Sequence, residues 1–166
     1  MYFNPNIFQP YPVGLITKDG EDLEKLSFSD NSIYIHITQD VIEHIFHPEL
    51  VFKEIARTLA PNGAHIFTVP LLNKGRPSVR CAEKDDNIIT QLINPPEYYG
   101  NPVSEQGSLV TFHWGYDIVH WVYELSGLIT TIFYIDALEL GIKAEFIEVL
   151  VGRKLVSKDI QKIMLL

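Results

Sequence analysis

The sequence predicts an α/β fold, a parallel βαβ core followed by a C-terminal antiparallel hairpin, within a single domain spanning residues 1–166. Three observations lead there. Ser32 to Thr38 is a strand-length run rich in β-branched and aromatic residues. Behind it, apolar residues at helical spacing after Pro48 give way to a second strand-like run, Ile66 to Val69, closed by Pro70. Near the end, Leu128 to Ile135 and Phe146 to Val151 read as strands joined by a short loop containing Gly141, a connection that fits only antiparallel pairing.

Taken in order, Met1 to Pro12 carries three prolines and two asparagines among aromatics, which resists helix and ladder formation. It reads as an arm packing through Tyr2, Phe3 and Phe8. Val13 to Thr17 is a short strand ended by Asp19-Gly20, and Asp22 to Leu26 a single helical turn. Isoleucines 33, 35 and 37 share one face of the first strong strand. Pro48 suits the first turn of a helix, where its missing donor costs nothing, and Phe52, Ile55, Ala56 and Leu59 form the buried stripe. Pro61-Asn62-Gly63 is expected to stop that helix, Asn62 tolerating a left-handed conformation. Strand, helix and strand with tight connections imply parallel strands joined right-handedly. Residues 71–114 show no clear periodicity and hold Asn94-Pro95-Pro96 and Tyr98-Tyr99. A stretch of that length reads as a lid or binding insertion. Asp117 is placed to cap a further helix with Ile118, Trp121, Val122 and Leu125 on its apolar face, ended by Gly127. Residues 155–166 read as a tail, with Ile163 to Leu166 able to dock.

Composition narrows the function classes. Hydrophobic residues at 46% argue against disorder, and a net charge of -8 spread along the chain argues against a nucleic-acid surface. Lys74, Arg76 and Arg80 lie close together, as a basic patch or as part of a solvated loop. The single cysteine, Cys81, fits a reducing compartment, and no apolar run reaches membrane-spanning length. A cytoplasmic protein without membrane or nucleic-acid partners is expected.

Gln39, Asp40, Glu43 and His44 cluster at the end of the first strong strand. In an open parallel sheet, ligands bind outside the carboxyl ends of the strands. The competing reading is a helix start with acids at the positive dipole end, favourable by about 0.3–1 kcal/mol each without any function. Six histidines, His36, His44, His47, His65, His113 and His120, raise the question of metal. Only Glu43-His44-x-x-His47 groups two of them, and His47 sits where a helix cap belongs, so no metal site is expected. Cys81 lies among charges with no orienting group beside it and is not read as a nucleophile.

Asp22-Leu23-Glu24-Lys25-Leu26-Ser27-Phe28-Ser29-Asp30-Asn31-Ser32 resembles a conserved run of the type-11 class I S-adenosylmethionine-dependent methyltransferases. Gln39-Asp40-Val41-Ile42-Glu43-His44-Ile45-Phe46-His47-Pro48 is similar to their next motif. Phe52 to Gly63 is similar to their following helix and turn, and Phe67-Thr68-Val69-Pro70 to their next strand. Pro95 to Pro102 and His113 to Asp117 resemble the substrate-side insertion of a subgroup. The likeness covers roughly residues 15–154 and implies an incomplete Rossmann-like methyltransferase sheet. It also implies a methyl group passed from S-adenosylmethionine to a small-molecule or sugar-containing acceptor. By the same resemblance Asp22 accepts from the adenine amino group and Leu23 contributes a backbone contact. Gln39, with Asp40 in the cofactor set, lines the methionine end, and His44 sits near the transferred methyl as the catalytic residue. Tyr98, Tyr99, His113 and Trp114 face the acceptor. A neutral His44 is suited to taking a proton from an acceptor hydroxyl.

The sequence departs from the family in its missing first half, which includes the acid that binds the ribose hydroxyls, and in Pro61-Asn62-Gly63 where the family has Pro-Gly-Gly. None of the ten glycines falls in a G-x-G-x-x-G arrangement, and the chain reads as the C-terminal two-thirds of the family's domain. Two expectations follow. Cofactor binding is weak or assisted by a partner chain, the alternative being a non-catalytic binding or oligomerisation module. The free edge of strand 32–38 is covered by a second copy, in a dimer or larger homo-oligomer, or by the N-terminal arm.

Overall fold

The computed structural model describes residues 21–86, 88–100 and 105–156. The expected N-terminal arm, the strand at Val13 to Thr17 and most of the tail lie outside the described residues. A four-stranded sheet organises the rest. Strand β1 (Ile33–Gln39) leads through a 3-10 turn (Ile42–His44) into helix α1 (Pro48–Thr58) and strand β2 (Leu59–Thr68), which pairs parallel with β1. The βαβ unit is therefore present as expected. Between it and the last strands come six short strands: β3 (Val79–Arg80), β4 (Ala82–Asp85), β5 (Ile88–Gln91), β6 (Tyr98–Tyr99), β7 (Ser108–Leu109) and β8 (Phe112–His113). Helix α2 (Ile118–Ser126) follows, then the hairpin β9 (Ile129–Tyr134) and β10 (Glu148–Arg153). β10 is antiparallel to both β2 and β9, so the sheet order is β1-β2-β10-β9.

Helix α1 forms because Pro48 opens it and Val51, Phe52 and Ile55 bury completely on one stripe. Each such side chain contributes about 1.5–3 kcal/mol. The helix ends earlier than the apolar stripe suggests. Thr58 is its last residue and Leu59 already begins β2, so Pro61-Asn62-Gly63 does not stop the helix. Those three residues lie inside β2, where the register with β1 shifts between Ile33 and Ile35. Asn62 does take the left-handed conformation, at φ 65°. The Lys154 ammonium caps the helix end, donating to the Ala56 and Leu59 carbonyls at 2.8 Å each.

Both helices cover one face of the sheet. Phe52 of α1 packs on Phe67 of β2, and the core continues through Trp114, Phe112, Ile118 and Val122. Asp117 stands at the start of α2 but makes no capping bond. Its carboxylate accepts from the Ser78 amide and hydroxyl, tying α2 to the insertion. Gly127 closes α2 in the left-handed conformation, at φ 72°. On the other sheet face Ile35 and Ile37 of β1 and Ile129 and Phe133 of β9 are all exposed among the described residues.

The stretch 71–114 holds more regular structure than its sequence suggests, in three small antiparallel ladders, β3–β8, β4–β5 and β6–β7. Of the basic residues there, two are engaged within the fold. Lys74 pairs with the buried Glu148 at 2.6 Å, while Arg80 donates to the Phe46 carbonyl and lies over the Phe112 ring. No helix among the described residues is long and apolar enough to cross a membrane.

Candidate functional site

The carboxyl ends of β1 and β2 meet at Asp40, which holds a left-handed backbone, φ 47°, without being glycine. Such a conformation costs about 1–3 kcal/mol and persists only where surroundings enforce it. Here the Asp40 amide donates to the Thr68 carbonyl at 3.1 Å and the Thr68 hydroxyl donates to its carboxylate at 2.9 Å. The sharp turn aims the 3-10 turn away from the sheet. Gln39 is exposed, and its side-chain amide reaches the Asp40 carboxylate at 3.5 Å.

On one side of the 3-10 turn lies a cavity of about 290 Å³ lined by Asp22, Leu23, Phe28, Thr38, Val41 and Ile45, among others. Its floor loop is clamped by Arg57 of α1. The guanidinium donates to the Leu26 and Phe28 carbonyls and to the Glu54 and Asp30 carboxylates, and Glu54 in turn accepts from the Leu26 amide. These bonds hold the Arg57 charge firmly and pull the Glu54 carboxyl below its ordinary value. Asp22 is exposed at the rim, one of its oxygens accepting from the Glu24 amide at 2.9 Å in an Asx turn.

The insertion closes on the other side. Thr111 donates from its amide to the Glu43 carbonyl at 2.8 Å and from its hydroxyl to the Ile45 carbonyl at 2.6 Å. His44 Nδ1 bonds the Leu109 carbonyl at 2.7 Å, and Tyr99 meets the imidazole edge-on at 5.7 Å between ring centres. Nearby, His113 and Glu97 pair at 2.7 Å. The structure thus brings His44, Tyr99, Glu97 and His113 together around the 3-10 turn. Tyr98, on the same short strand as Tyr99, is exposed.

Trp114 requires correction. It was expected to face an acceptor, yet it is fully buried, stacked on Phe112 at 4.5 Å and edge-on to Phe52 and Trp121. Its large apolar ring stabilises the core and does not reach the site.

Two features escaped the sequence reading. Glu43 is 2% exposed, and burial raises its carboxyl to about 7. Burial likewise lowers His44, and it pushes Tyr99 up to about 12 with help from the charges of Glu97 and Glu43. The second is a pair of neutral histidines within the sheet. His36 bonds the Thr58 hydroxyl at 2.8 Å and His65 the Thr38 hydroxyl at 2.9 Å. Burial lowers them to about 4 and about 3. A charged residue inside an otherwise apolar run, as in Val41-Ile42-Glu43, was the available signal for the first; nothing in the spacing marks the second. Cys81 is buried and its thiol is raised by burial, so no thiolate is available there. No cluster of three or more potential metal ligands occurs among the described residues.

Residues 9–67 match the family described as Methyltransferase domain. No curated protein matches the chain. Among solved structures, an S-adenosylmethionine-dependent methyltransferase from Mesorhizobium loti is similar with a TM-score of 0.50 at 15% identity, over 80% of this chain and 67% of that one. A second, from Methanosarcina mazei, gives a TM-score of 0.48 at 12% identity, over 82% and 66%. A third, the 1,6-didemethyltoxoflavin-N1-methyltransferase of Burkholderia thailandensis, gives 0.46 at 13%, over 81% and 48%. The chain therefore spans about two thirds or less of these proteins. By its sequence over residues 9–67 and by the fold of its sheet, the chain resembles the class I S-adenosylmethionine-dependent methyltransferases.

Proposed function

We propose that this chain carries the acceptor side and part of the nucleoside site of an S-adenosylmethionine-dependent methyltransferase acting on a small-molecule or sugar-containing acceptor. The observation that carries the reading is the placement of one 3-10 turn, bearing His44, between an apolar cavity and an aromatic insertion. The cavity fits the base end of the cofactor: Leu23, Phe28, Val41 and Ile45 supply apolar walls for a flat ring, and Asp22 supplies an acceptor at the rim for an amino group. Gln39 and Asp40, at the strand end beyond it, are assigned to the methionine end. When bound, the cofactor supplies an electrophilic methyl group. The chain's own part is to hold the acceptor between Tyr98, Tyr99 and His113 and to take its proton on His44.

Calorimetric titration with S-adenosylhomocysteine tests this. Micromolar binding, lost in Asp22→Ala, supports the enzyme. Absence of heat at millimolar ligand supports the second reading, a non-catalytic methyltransferase-like module that binds or oligomerises through the same surfaces. That second reading is favoured by the β1 edge and the apolar sheet face, neither of which has a cover among the described residues. For either function we assign the cover of β1 to a second copy of the chain, with residues 71–114 as the substrate-side insertion.

A further inference from the structure

The Leu109 carbonyl can only accept, so the His44 nitrogen that meets it at 2.7 Å, Nδ1, carries a hydrogen. In the neutral ring this leaves Nε2 as the one atom able to take a proton. Next to it, 3.8 Å away, is Oε1 of Glu43. That carboxyl is almost completely buried, and neither of its oxygens has a hydrogen-bond partner among the described residues. An unpaired buried carboxylate is costly, several kcal/mol in magnitude, so the site must hold it either protonated or beside a cation.

Among the described residues, one candidate cation stands beside it, His44. Arg80 spends its guanidinium on the Phe46 carbonyl and on Glu49. His113 is engaged by Glu97. Asp40 and Glu97 add negative charge around the 3-10 turn, Tyr99 and Cys81 are held neutral, and the described ion pairs of Glu43 comprise His44 alone.

We propose that Glu43 and His44 titrate as one electrostatically coupled pair in which Glu43 is the positioning residue that sets the protonation of His44 Nε2. For methyl transfer this rests on the function proposed above. There, the acceptor O–H bond breaks with its electron pair staying on oxygen, and the proton adds to the Nε2 lone pair. The imidazolium so formed faces the Glu43 carboxylate, which offsets its charge without touching the acceptor. The pair works in this direction only when Glu43 is ionised and His44 neutral, so activity should rise with pH through the pair's titration.

The test needs neither cofactor nor acceptor, so it can fail while the calorimetric titration succeeds, or the reverse. Ring-nitrogen chemical shifts of His44 are followed against pH in the full isotope-labelled chain and in Glu43→Gln. The expected result is an Nδ1–H tautomer in the neutral ring, and in the native chain a response of the His44 nitrogens at the pH where Glu43 titrates, absent in the variant. A His44 titration identical in the two chains overturns the proposal. If Glu43→Gln does not fold, the native chain decides: the Glu43 carboxyl carbon and the His44 nitrogens titrating in common steps support the pair, and independent single steps overturn it.

Discussion

His44 and Leu109 are 65 positions apart, yet the imidazole Nδ1–H donates to the Leu109 carbonyl at 2.7 Å and fastens the insertion to the end of β1. The neighbouring bonds from Thr111 to the Glu43 and Ile45 carbonyls act in the same place. His44 is therefore structural as well as a candidate base. His44→Ala is expected to cost about 1 kcal/mol of stability and to speed amide exchange at Val110 and Thr111. Unchanged exchange at both amides would show that Thr111 alone holds the insertion.

Trp114 should behave as a core residue. It fills the space between Phe52, Phe112 and Trp121, so Trp114→Ala opens a cavity with little chance of collapse. A loss of about 3–5 kcal/mol in denaturant unfolding is expected. A near-neutral result would return Trp114 to the acceptor side.

Much of the fold was legible in the sequence because local chemistry and tertiary packing agree there. Ser32 to Thr38 became β1, Pro48 opened α1, and Gly127 closed α2. Disagreement arose where one residue serves two masters. Leu59 continues the helical stripe by spacing but is fully buried as the first residue of β2. Asp117 has the side chain of a cap, but Ser78 claims it. The short strands of the insertion were invisible, since β3, β6, β7 and β8 have two residues each and β4 and β5 four, too few to carry a period. In the site, His44 and Tyr99 could be named from motif order alone. Glu43 could not be given a role, because its importance lies in burial without partners, which no spacing reveals.

Gly63 permits the close approach of β1 and β2 at their register shift. A Cβ there would lie 2.8 Å from the Ala60 carbonyl oxygen and 2.9 Å from that of Tyr34, both backbone atoms. Gly63→Ala is therefore expected to cost about 1–3 kcal/mol in urea unfolding and to weaken β1 selectively in hydrogen exchange. Gly75→Ala, where a Cβ meets nothing within 4 Å, is the matched control and should be near neutral.

Stability should fall on acidification. His36 and His65 are held near 4 and 3, below the ordinary 6.5, so the unfolded chain binds protons first. Their contribution is complete above 6.5 and is lost as pH falls towards those values. Glu43 acts oppositely. Raised from 4.5 to about 7, it favours the fold below 4.5 and loses that contribution as pH rises through 7. At pH near 5.5 the unfolded chain holds about two protons on these three groups and the native chain about one, so stability falls by roughly 1.4 kcal/mol per pH unit there. Guanidinium midpoints at a series of pH values measure the slope. A flat profile from neutrality to pH near 5 would contradict neutral buried histidines.

The last prediction concerns the open edge. β1 has no strand neighbour on its outer side among the described residues, and Tyr34 is 64%, Ile35 42% and Ile37 37% exposed. An apolar edge strand of seven residues with unpaired backbone groups is a template for pairing. If a second copy supplies the cover, light scattering should report a mass of at least twice the chain, and the outward amides of β1 should exchange slowly. Ile35→Lys places a charge on that strand without entering the buried core, so it should shift the mass towards monomer while the helices keep their circular dichroism. A wild-type monomer with rapidly exchanging β1 amides would exclude a covering copy. A monomer with slowly exchanging amides would assign the cover to another part of the same chain.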